Sequence, residues 1–364
     1  MDPSDTLPPA IKKLMILASY TQQLVREKLH PQLSPSQPPP GLSLQLQSEA
    51  RLIAACLCKA LDNPLQLKWT TNTYMENRHK KRSTLETLCP PFVDSNGPPN
   101  SVLRDEPFLV IDLSGRVVMC YLPSVICKER QAIIREAITW LSNVPQVPPL
   151  TQKPDGNFRV NPGKFSPSTT DIRSGVVTYA STWPMAGHPD GPWAPSANFK
   201  NPKGGGLSFL EMISESLAVL GAILAVIHPA LFEAGVEVLS RLNSGYIEVR
   251  DYDLLKQVLN HWSSPFTAFS VITNRQTDLH RDSLSPTDAF DMLYTSGDYD
   301  DGRFEVPGLG IRCRYDPGTV IALLTAVFEH GVPRQWFTHL YRPFLPQSDA
   351  IAKSLPEGPK KHYF

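Results

Sequence analysis

The sequence predicts an α+β protein in which a small antiparallel barrel or jelly roll packs against helices. Two observations support this fold class. Apolar residues recur at helical spacing in residues 9–30 and 46–62, and again in 207–228 and 230–242. After residue 264 the pattern changes to short apolar stretches separated by turn residues, which is typical of a barrel or jelly roll.

The part of the chain between the two pairs of helices mixes all element types. Residues 63–104 are polar and rich in turns, and they contain the basic run "RHKKR" at 78–82. "PFLVIDLSGRVVMCYLP" predicts a β-hairpin around Ser114 and Gly115, and "KERQAIIREAITWLSN" predicts an amphipathic helix after it. Residues 144–206 are dense in Pro, Gly, Ser and Asn, with one short strand candidate in "SGVVTYAS". A segment of this length inside a domain is usually functional or disordered.

The C-terminal strands are predicted from the segments between turn signals. The change to short strands begins at "GYIEVRDYD", residues 245–253, and Pro307-Gly308 and Asp316-Pro317-Gly318 mark turns. The predicted strand segments are "FTAFSVITN", "AFDMLYTSG", "GRFEVPGLGIRCRYDPGTVIALLT", "AVFEHGVP" and "QWFTHLYRPF". These patterns divide the chain into an N-terminal helix and hairpin region packed on the core (1–143), an irregular segment (144–206), the barrel with its supporting helices (207–346) and a C-terminal tail (347–364).

Composition restricts the class of protein. The 364 residues are 41% apolar and 19% charged with zero formal net charge, which argues against a protein whose whole surface binds polyanions but leaves room for a local basic face. The six cysteines form no CxxC pair and no secretory signal precedes them, so we expect reduced intracellular thiols. The run "LAVLGAILAVIHPALF" is interrupted by His228 and Pro229, which predicts a buried helix and no membrane partner.

A possible metal site begins in "NRQTDLHRDSLS", residues 274–285. If this segment is a strand, residues i and i+2 share a face, so His280 and Asp282 point into the barrel while Arg281 faces away. His330 in "VFEHGVP" supplies a third ligand from a distant strand. Two histidines and one carboxylate are the facial triad of Fe(II) oxygenases, which leaves three metal positions open; surface histidines are the alternative interpretation.

Arginines near these residues favour the metal interpretation. Oxygenases of this geometry commonly use 2-oxoglutarate, and arginine matches its distal carboxylate with two hydrogen bonds. The candidates are Arg334, Arg342 and Arg275. A kinase catalytic loop beginning His-Arg-Asp is rejected, because it requires Asn where the chain has Thr287 and no Asp-Phe-Gly follows.

Residues 205–345 resemble the TET/JBP family of 2-oxoglutarate- and Fe(II)-dependent nucleic-acid oxygenases, in particular the group expanded in basidiomycete fungi. The matching segments are "SVITNRQTDLHRD", "DGRFEVPGLGIRCRYDPGTVIALLTAVFEHGV" and "PRQWFTHLYRPF". The resemblance implies a double-stranded β-helix core flanked by helices, with His280, Asp282 and His330 as catalytic iron ligands. It implies Arg334 as partner of the 2-oxoglutarate distal carboxylate, and Arg342 and Arg275 as further contacts.

The resemblance also implies a substrate class, double-stranded DNA carrying a methylated base. With Fe(II), 2-oxoglutarate and O2, 5-methylcytosine becomes 5-hydroxymethylcytosine and further oxidised bases, whereas N6-methyladenine would lose its methyl group as formaldehyde. The base must be flipped out of the duplex to reach buried iron. Candidate base contacts are Ser283, Ser285, Asp288 and Tyr294, and candidate phosphate contacts are Lys200, Lys203 and the run 78–82.

Three further expectations remain open at this stage. Methyl groups of RNA, or a small-molecule or protein substrate of the same barrel, are alternatives to DNA because the triad does not select the substrate. An inactive DNA-binding module is a different class of function, and the intact set of ligands argues against it. We expect a nuclear protein that acts as a monomer.

Overall fold

The computed structural model describes residues 7–92, 103–142, 161–166, 172–183, 193–200 and 205–340, with only the backbone considered for residues 142 and 333–340. Within these residues the chain is an α+β protein of eight helices and eleven strands, as the sequence predicts. The helices are α1 (Pro9–Leu29), α2 (Leu44–Asp62), α3 (Thr71–Asn77), α4 (Arg82–Leu88), α5 (Lys128–Ser142), α6 (Gly206–Ile227), α7 (Pro229–Asn243) and α8 (Tyr252–Leu259). The strands are β1 (Pro64–Gln66), β2 (Leu103–Arg104), β3 (Phe108–Ile111), β4 (Val117–Leu122), β5 (Gly175–Ala180), β6 (Ala268–His280), β7 (Asp291–Ser296), β8 (Arg303–Val306), β9 (Ile311–Arg314), β10 (Val320–Leu323) and β11 (His330–Leu340).

The strands form the two sheets of a double-stranded β-helix. The main sheet has the order β1-β3-β4-β10-β7-β11-β6-β5, and β8, β9 and β2 form a second sheet that joins β11 where Gly331 pairs with Glu305. The two longest strands, β6 and β11, are antiparallel neighbours. Buried apolar side chains from the helices and from both sheets form one continuous core.

The predicted hairpin is confirmed and has a larger role than its sequence indicates. Strands β3 and β4 pair around a turn in which Gly115 has a φ of +86°, a conformation that glycine adopts without a Cβ penalty. β4 then pairs with β10, so the hairpin extends the main sheet of the barrel. The turn is fixed by Asp112, whose carboxylate accepts hydrogen bonds from the backbone N–H groups of Thr71, Ser114 and Arg116.

Helix α6 is the centre of the helical layer and packs against α1, α2, α5 and α7. Among the described helices it alone is long and apolar enough to cross a membrane, and 67% of its most apolar window is buried within the protein. A buried core helix passes the same test of length and composition as a membrane span, and α6 has the contacts of a core helix here.

A buried ion cluster connects the helices of this layer. Arg130 on α5 makes two hydrogen bonds to Glu49 on α2, at 2.9 and 3.0 Å, and a third to Glu215 on α6 at 3.1 Å. Glu215 also pairs with Lys13 on α1 at 3.0 Å. The side chains of Arg130 and Glu49 are only 2% and 5% exposed, so this pair is desolvated and depends on its complete set of hydrogen bonds.

Three expectations about secondary structure were wrong. Residues 245–253 do not begin a series of strands; they lead into helix α8, whose start Asp251 caps by accepting from the Leu254 N–H. The last two predicted strands are one strand, β11, which begins at His330. The segment before it, residues 325–328, is a turn, because Val327 and Phe328 donate to the Leu324 carbonyl. The six cysteines all lie in described segments and are free thiols, as predicted.

Candidate metal centre

The pairing of β6 with β11 brings two histidines together. His280, the last residue of β6, is the register partner of His330, the first residue of β11. The two rings lie with centroids 4.5 Å apart, although 50 positions separate them in the chain. The long antiparallel pairing therefore sets the spacing of these two side chains.

Asp282 reaches the same point by a different route from the one predicted. Since β6 ends at His280, Asp282 lies in the turn that follows and not two residues further along a strand. Its backbone N–H donates to the Thr325 carbonyl at 3.1 Å, which directs the carboxylate toward both histidines. The expectation that His280 and Asp282 converge is met, but the strand periodicity invoked for it is wrong.

The three ligand atoms have a spacing that fits a metal ion. Asp282 places Oδ1 3.4 Å from Nε2 of His280 and Oδ2 3.7 Å from Nε2 of His330. The candidate ligand atoms of all three residues lie within 4.8 Å of one another, and no other such group of three occurs in the part of the chain that the structure describes. Two ligands about 2.1 Å from one ion and at right angles are about 3 Å apart, so small movements complete a facial triad.

The imidazole rings are oriented for metal binding. Nδ1 of His280 lies 2.9 Å from the Asp278 carbonyl oxygen, and Nδ1 of His330 lies 3.2 Å from that of Phe328. A carbonyl oxygen only accepts, so each Nδ1 carries the proton and each Nε2 presents its lone pair to the centre. Phe304 stacks on the His330 ring at 5.8 Å and holds it from the side.

The centre is closed on one side and open on the other. The side chains of Asp282 and His330 are each 4% exposed, whereas the His280 side chain retains 14% of its surface. Two nitrogens and one carboxylate form a donor set that suits Fe(II) and leaves three coordination positions for other groups. The residues present thus fit the group that the sequence implied.

A glycine next to His330 allows the two strands to approach closely. A Cβ at Gly331 would lie 2.8 Å from the Thr277 carbonyl oxygen and 2.9 Å from that of Asp278, the acceptor of the His280 ring. This role of Gly331 was not predicted from the sequence. The sequence signal that could have found it is a glycine directly after a predicted metal ligand, since glycine in a strand often marks close backbone approach.

The three candidate arginines are described to different extents. Arg275 lies on β6 among buried positions that alternate with partly exposed ones, and it is itself 4% exposed. Arg334 lies on β11, on the same strand as His330, and only its backbone is described. Arg342 lies outside the described residues. Which of them binds 2-oxoglutarate therefore stays a prediction.

The candidate base contacts separate into two exposed and two buried residues. Ser283 and Asp288 are exposed on the turn after Asp282. Ser285 is 3% exposed and donates its hydroxyl to the Asp291 carboxylate at 2.9 Å. Tyr294 is 1% exposed within β7, and burial raises the pKa of its phenol. Neither Ser285 nor Tyr294 is open to a base in this structure, because strand and turn contacts hold both side chains inside.

The basic residues proposed for phosphate contact are partly engaged within the protein. Arg78 donates to the Ala326 carbonyl at 2.9 Å, and Lys200 pairs with Asp251 at 3.0 Å. The other residues of the run 78–82 are exposed, and Lys203 lies outside the described residues. Arg281 turns away from the triad, as predicted, and donates to the Val327 carbonyl at 3.0 Å.

Residues 196–336 match the family model Tet_JBP, described as the oxygenase domain of the 2OGFeDO superfamily. This segment is an oxygenase domain of the TET/JBP family. It is therefore a 2-oxoglutarate- and Fe(II)-dependent dioxygenase, and the matched residues include all three members of the triad. The fungal affiliation stays a prediction.

Similarity to individual proteins is weaker than the match to the TET/JBP family. A solved structure, NgTET1 in complex with 5mC DNA, has a TM-score of 0.45 and 15% identity, and covers 70% of this chain and 83% of that chain. No curated protein sequence matches the chain significantly.

Proposed function

We propose that the chain oxidises the methyl group of a methylated base in double-stranded DNA, with 5-methylcytosine as the default substrate. The observation that carries the proposal is the convergence of His280, Asp282 and His330, with both imidazole lone pairs set toward one point, inside a TET/JBP oxygenase domain. Nucleic acid as the substrate is inferred from the resemblance to the TET/JBP family and from the exposed basic run 78–82.

The residues of the triad would hold Fe(II), with Asp282 supplying one negative charge and each histidine a neutral nitrogen. Bound iron with 2-oxoglutarate and O2 supplies the oxidising power that replaces a methyl C–H bond by C–OH, with succinate and CO2 as the other products. The low exposure of Asp282 and His330 keeps water from that side of the centre. Substrate then approaches on the side of His280, the ligand that is partly exposed.

A base that is stacked in a duplex does not reach a buried centre, so the proposal includes base flipping. Ser283 and Asp288 are exposed on the turn that follows Asp282, and they are the proposed readers of the base edge. Lys200 and the basic run would contact phosphates, a role that fixes the position of the duplex without selecting its sequence.

The deciding experiment uses duplexes that carry 5-methylcytosine or N6-methyladenine. Each is incubated with protein, Fe(II), 2-oxoglutarate and O2, and nucleosides are measured by mass spectrometry, with formaldehyde measured for the second duplex. We expect 5-hydroxymethylcytosine from the wild-type protein and none from His280→Ala. Turnover of the adenine duplex alone would reassign the substrate. Duplex binding without product from either base would favour an inactive DNA-binding module.

The 2-oxoglutarate contact is assigned by comparing Arg275→Ala, Arg334→Ala and Arg342→Ala. A bidentate charged hydrogen bond contributes about 1.5–3 kcal/mol, so loss of the true partner raises the KM for 2-oxoglutarate by roughly 10- to 150-fold. We expect the largest increase for Arg334→Ala. An unchanged KM in all three variants would contradict an arginine clamp.

The cellular site and assembly state complete the proposal. We propose that the protein acts in the nucleus, where its DNA substrate lies, and as a monomer. Imaging of the tagged protein tests the first statement, and light scattering of the purified chain tests the second.

A further inference from the structure

We infer that Asp291 is a positioning residue for the iron ligand Asp282 and acts on it through Ser285 and Thr325. The inference rests on the proposed metal centre and adds residues to it that are not ligands. One oxygen of Asp291, Oδ2, accepts the hydroxyl of Ser285 at 2.9 Å and also the hydroxyl of Thr325. Asp291 is the first residue of β7 and pairs in register with Leu323 on β10, so it is anchored within the main sheet.

The same two hydroxyl residues hold the main chain of Asp282. The Asp282 N–H donates to the Thr325 carbonyl at 3.1 Å, and the Asp282 carbonyl accepts from the Ser285 N–H at 2.9 Å. Both backbone polar groups of Asp282 are therefore bonded to residues whose side chains meet on Asp291. The four residues form a closed ring of hydrogen bonds around one metal ligand.

The position of Asp282 in the fold explains why such a ring is needed. His280 and His330 are held by strand pairing, since each lies at an end of β6 or β11 and opposite the other. Asp282 lies beyond the end of β6 and has no ladder to fix its backbone. The ring replaces the ladder, because it connects the turn at Asp282 to strands β7 and β10 through Asp291.

Burial makes the ring strong and its loss costly. The four residues Asp282, Ser285, Asp291 and Thr325 are between 0% and 3% exposed. Hydrogen bonds are stronger in this low-dielectric environment, and a buried carboxylate that loses its donors is left poorly solvated. The ring also accounts for Ser285, whose hydroxyl is directed to Asp291 and away from the mouth of the site.

The test measures metal affinity without DNA and without turnover. Wild-type protein and variants are titrated anaerobically with Fe(II), and with Co(II) followed by its d–d absorption. Loss of a group that orients a metal ligand typically costs 10- to 100-fold in affinity. We expect that loss for Thr325→Val and Asp291→Asn, and a value within about threefold of wild type for Thr325→Ser, which keeps the hydroxyl.

A matched control separates positioning from stability. Thr71, at the start of α3, is buried and donates its hydroxyl to Asp112 at 2.8 Å, so Thr71→Val removes the same type of bond between α3 and the hairpin turn. We expect Thr71→Val to lower the melting temperature and leave the metal affinity unchanged. If Asp291→Asn does not fold, the comparison of Thr325→Val with Thr325→Ser decides the question.

The outcomes distinguish this inference from the function on which it rests. Wild-type metal affinity in Thr325→Val, with a melting temperature lowered as in Thr71→Val, would show a purely structural role and overturn the inference. A wild-type chain that binds no metal would overturn both proposals. Metal binding that depends on the ring, without oxidation of any DNA base, would support the inference and refute the proposed substrate.

Discussion

Substitution of Gly331 by alanine tests whether close approach of two strands sets the geometry of the metal centre. The new Cβ would lie 2.8 and 2.9 Å from two backbone carbonyl oxygens of β6, at Thr277 and Asp278, whereas ordinary contacts begin near 3.4 Å. Strands β6 and β11 must therefore separate by roughly half an ångström, which is the tolerance within which functional groups must be held. The separation occurs where His280 lies opposite His330.

Two effects of different size follow from this movement. Overpacking of a backbone contact costs about 1–3 kcal/mol of stability. Displacement of the Asp278 carbonyl also disturbs the acceptor of the His280 ring, and such disturbances reduce metal affinity by about 10- to 100-fold. We therefore expect Gly331→Ala to lower Fe(II) affinity by more than its loss of stability alone implies.

The assay is anaerobic metal titration together with thermal unfolding of the metal-free protein. Gly221→Ala is the control, because its Cβ would lie 2.5 Å from Leu14 and 3.0 Å from Pro265 in the helical layer, among residues that are not part of the triad. We expect the control to lose stability and retain metal affinity. Equal metal affinity in Gly331→Ala and wild type would refute the reasoning, since the strand spacing would then not determine the position of the ligands.

Three further predictions concern stability, measured by urea unfolding. Arg130→Ala leaves Glu49 buried without its partner and should lower the free energy of unfolding by about 3–5 kcal/mol. Arg82→Ala removes an exposed pair and should lower it by at most about 0.5 kcal/mol. Similar losses in the two variants would contradict the argument from burial. Burial raises the pKa of Asp112, but its hydrogen bonds outweigh burial and lower the pKa in the folded protein below the ordinary value of 3.8. The stabilisation from Asp112 is therefore complete above pH 3.8 and is lost as the pH falls through the pKa of the folded protein. At acid pH the free energy of unfolding changes with pH by at most about 1.4 kcal/mol per pH unit for one group, and this slope should flatten in Asp112→Asn. An unchanged slope would exclude Asp112 as its source. Ser43→Ala removes the cap of α2, where the Ser43 hydroxyl accepts from the Leu46 N–H at 3.2 Å. It should lower the free energy of unfolding by about 1 kcal/mol, and no loss would show that the cap does not stabilise the protein.

Local patterns predicted the elements that depend on local physical chemistry. Helices α1, α2, α6 and α7 were predicted from the spacing of their apolar residues, and the β3–β4 hairpin from alternation around Ser114 and Gly115. Helix α8 was missed because its eight residues are too few to establish a helical period. The parallel pairing of β1 with β3 was also missed, since a three-residue strand has no distinct sequence pattern.

The sequence by itself identified the three candidate ligands of the metal centre, because His280, Asp282 and His330 are the chemical types that Fe(II) binds and their order resembles that of one family. It did not determine how they meet. The β6–β11 register places His280 opposite His330, a turn held by Thr325 and Ser285 presents Asp282, and Asp291 connects that turn to the sheet. The β6–β11 pairing and the hydrogen bonds of Thr325 join residues distant in the chain, and contacts of that kind depend on the packing of the whole barrel. For that reason only the tertiary structure decided that Ser285 supports a ligand and is not exposed to a substrate.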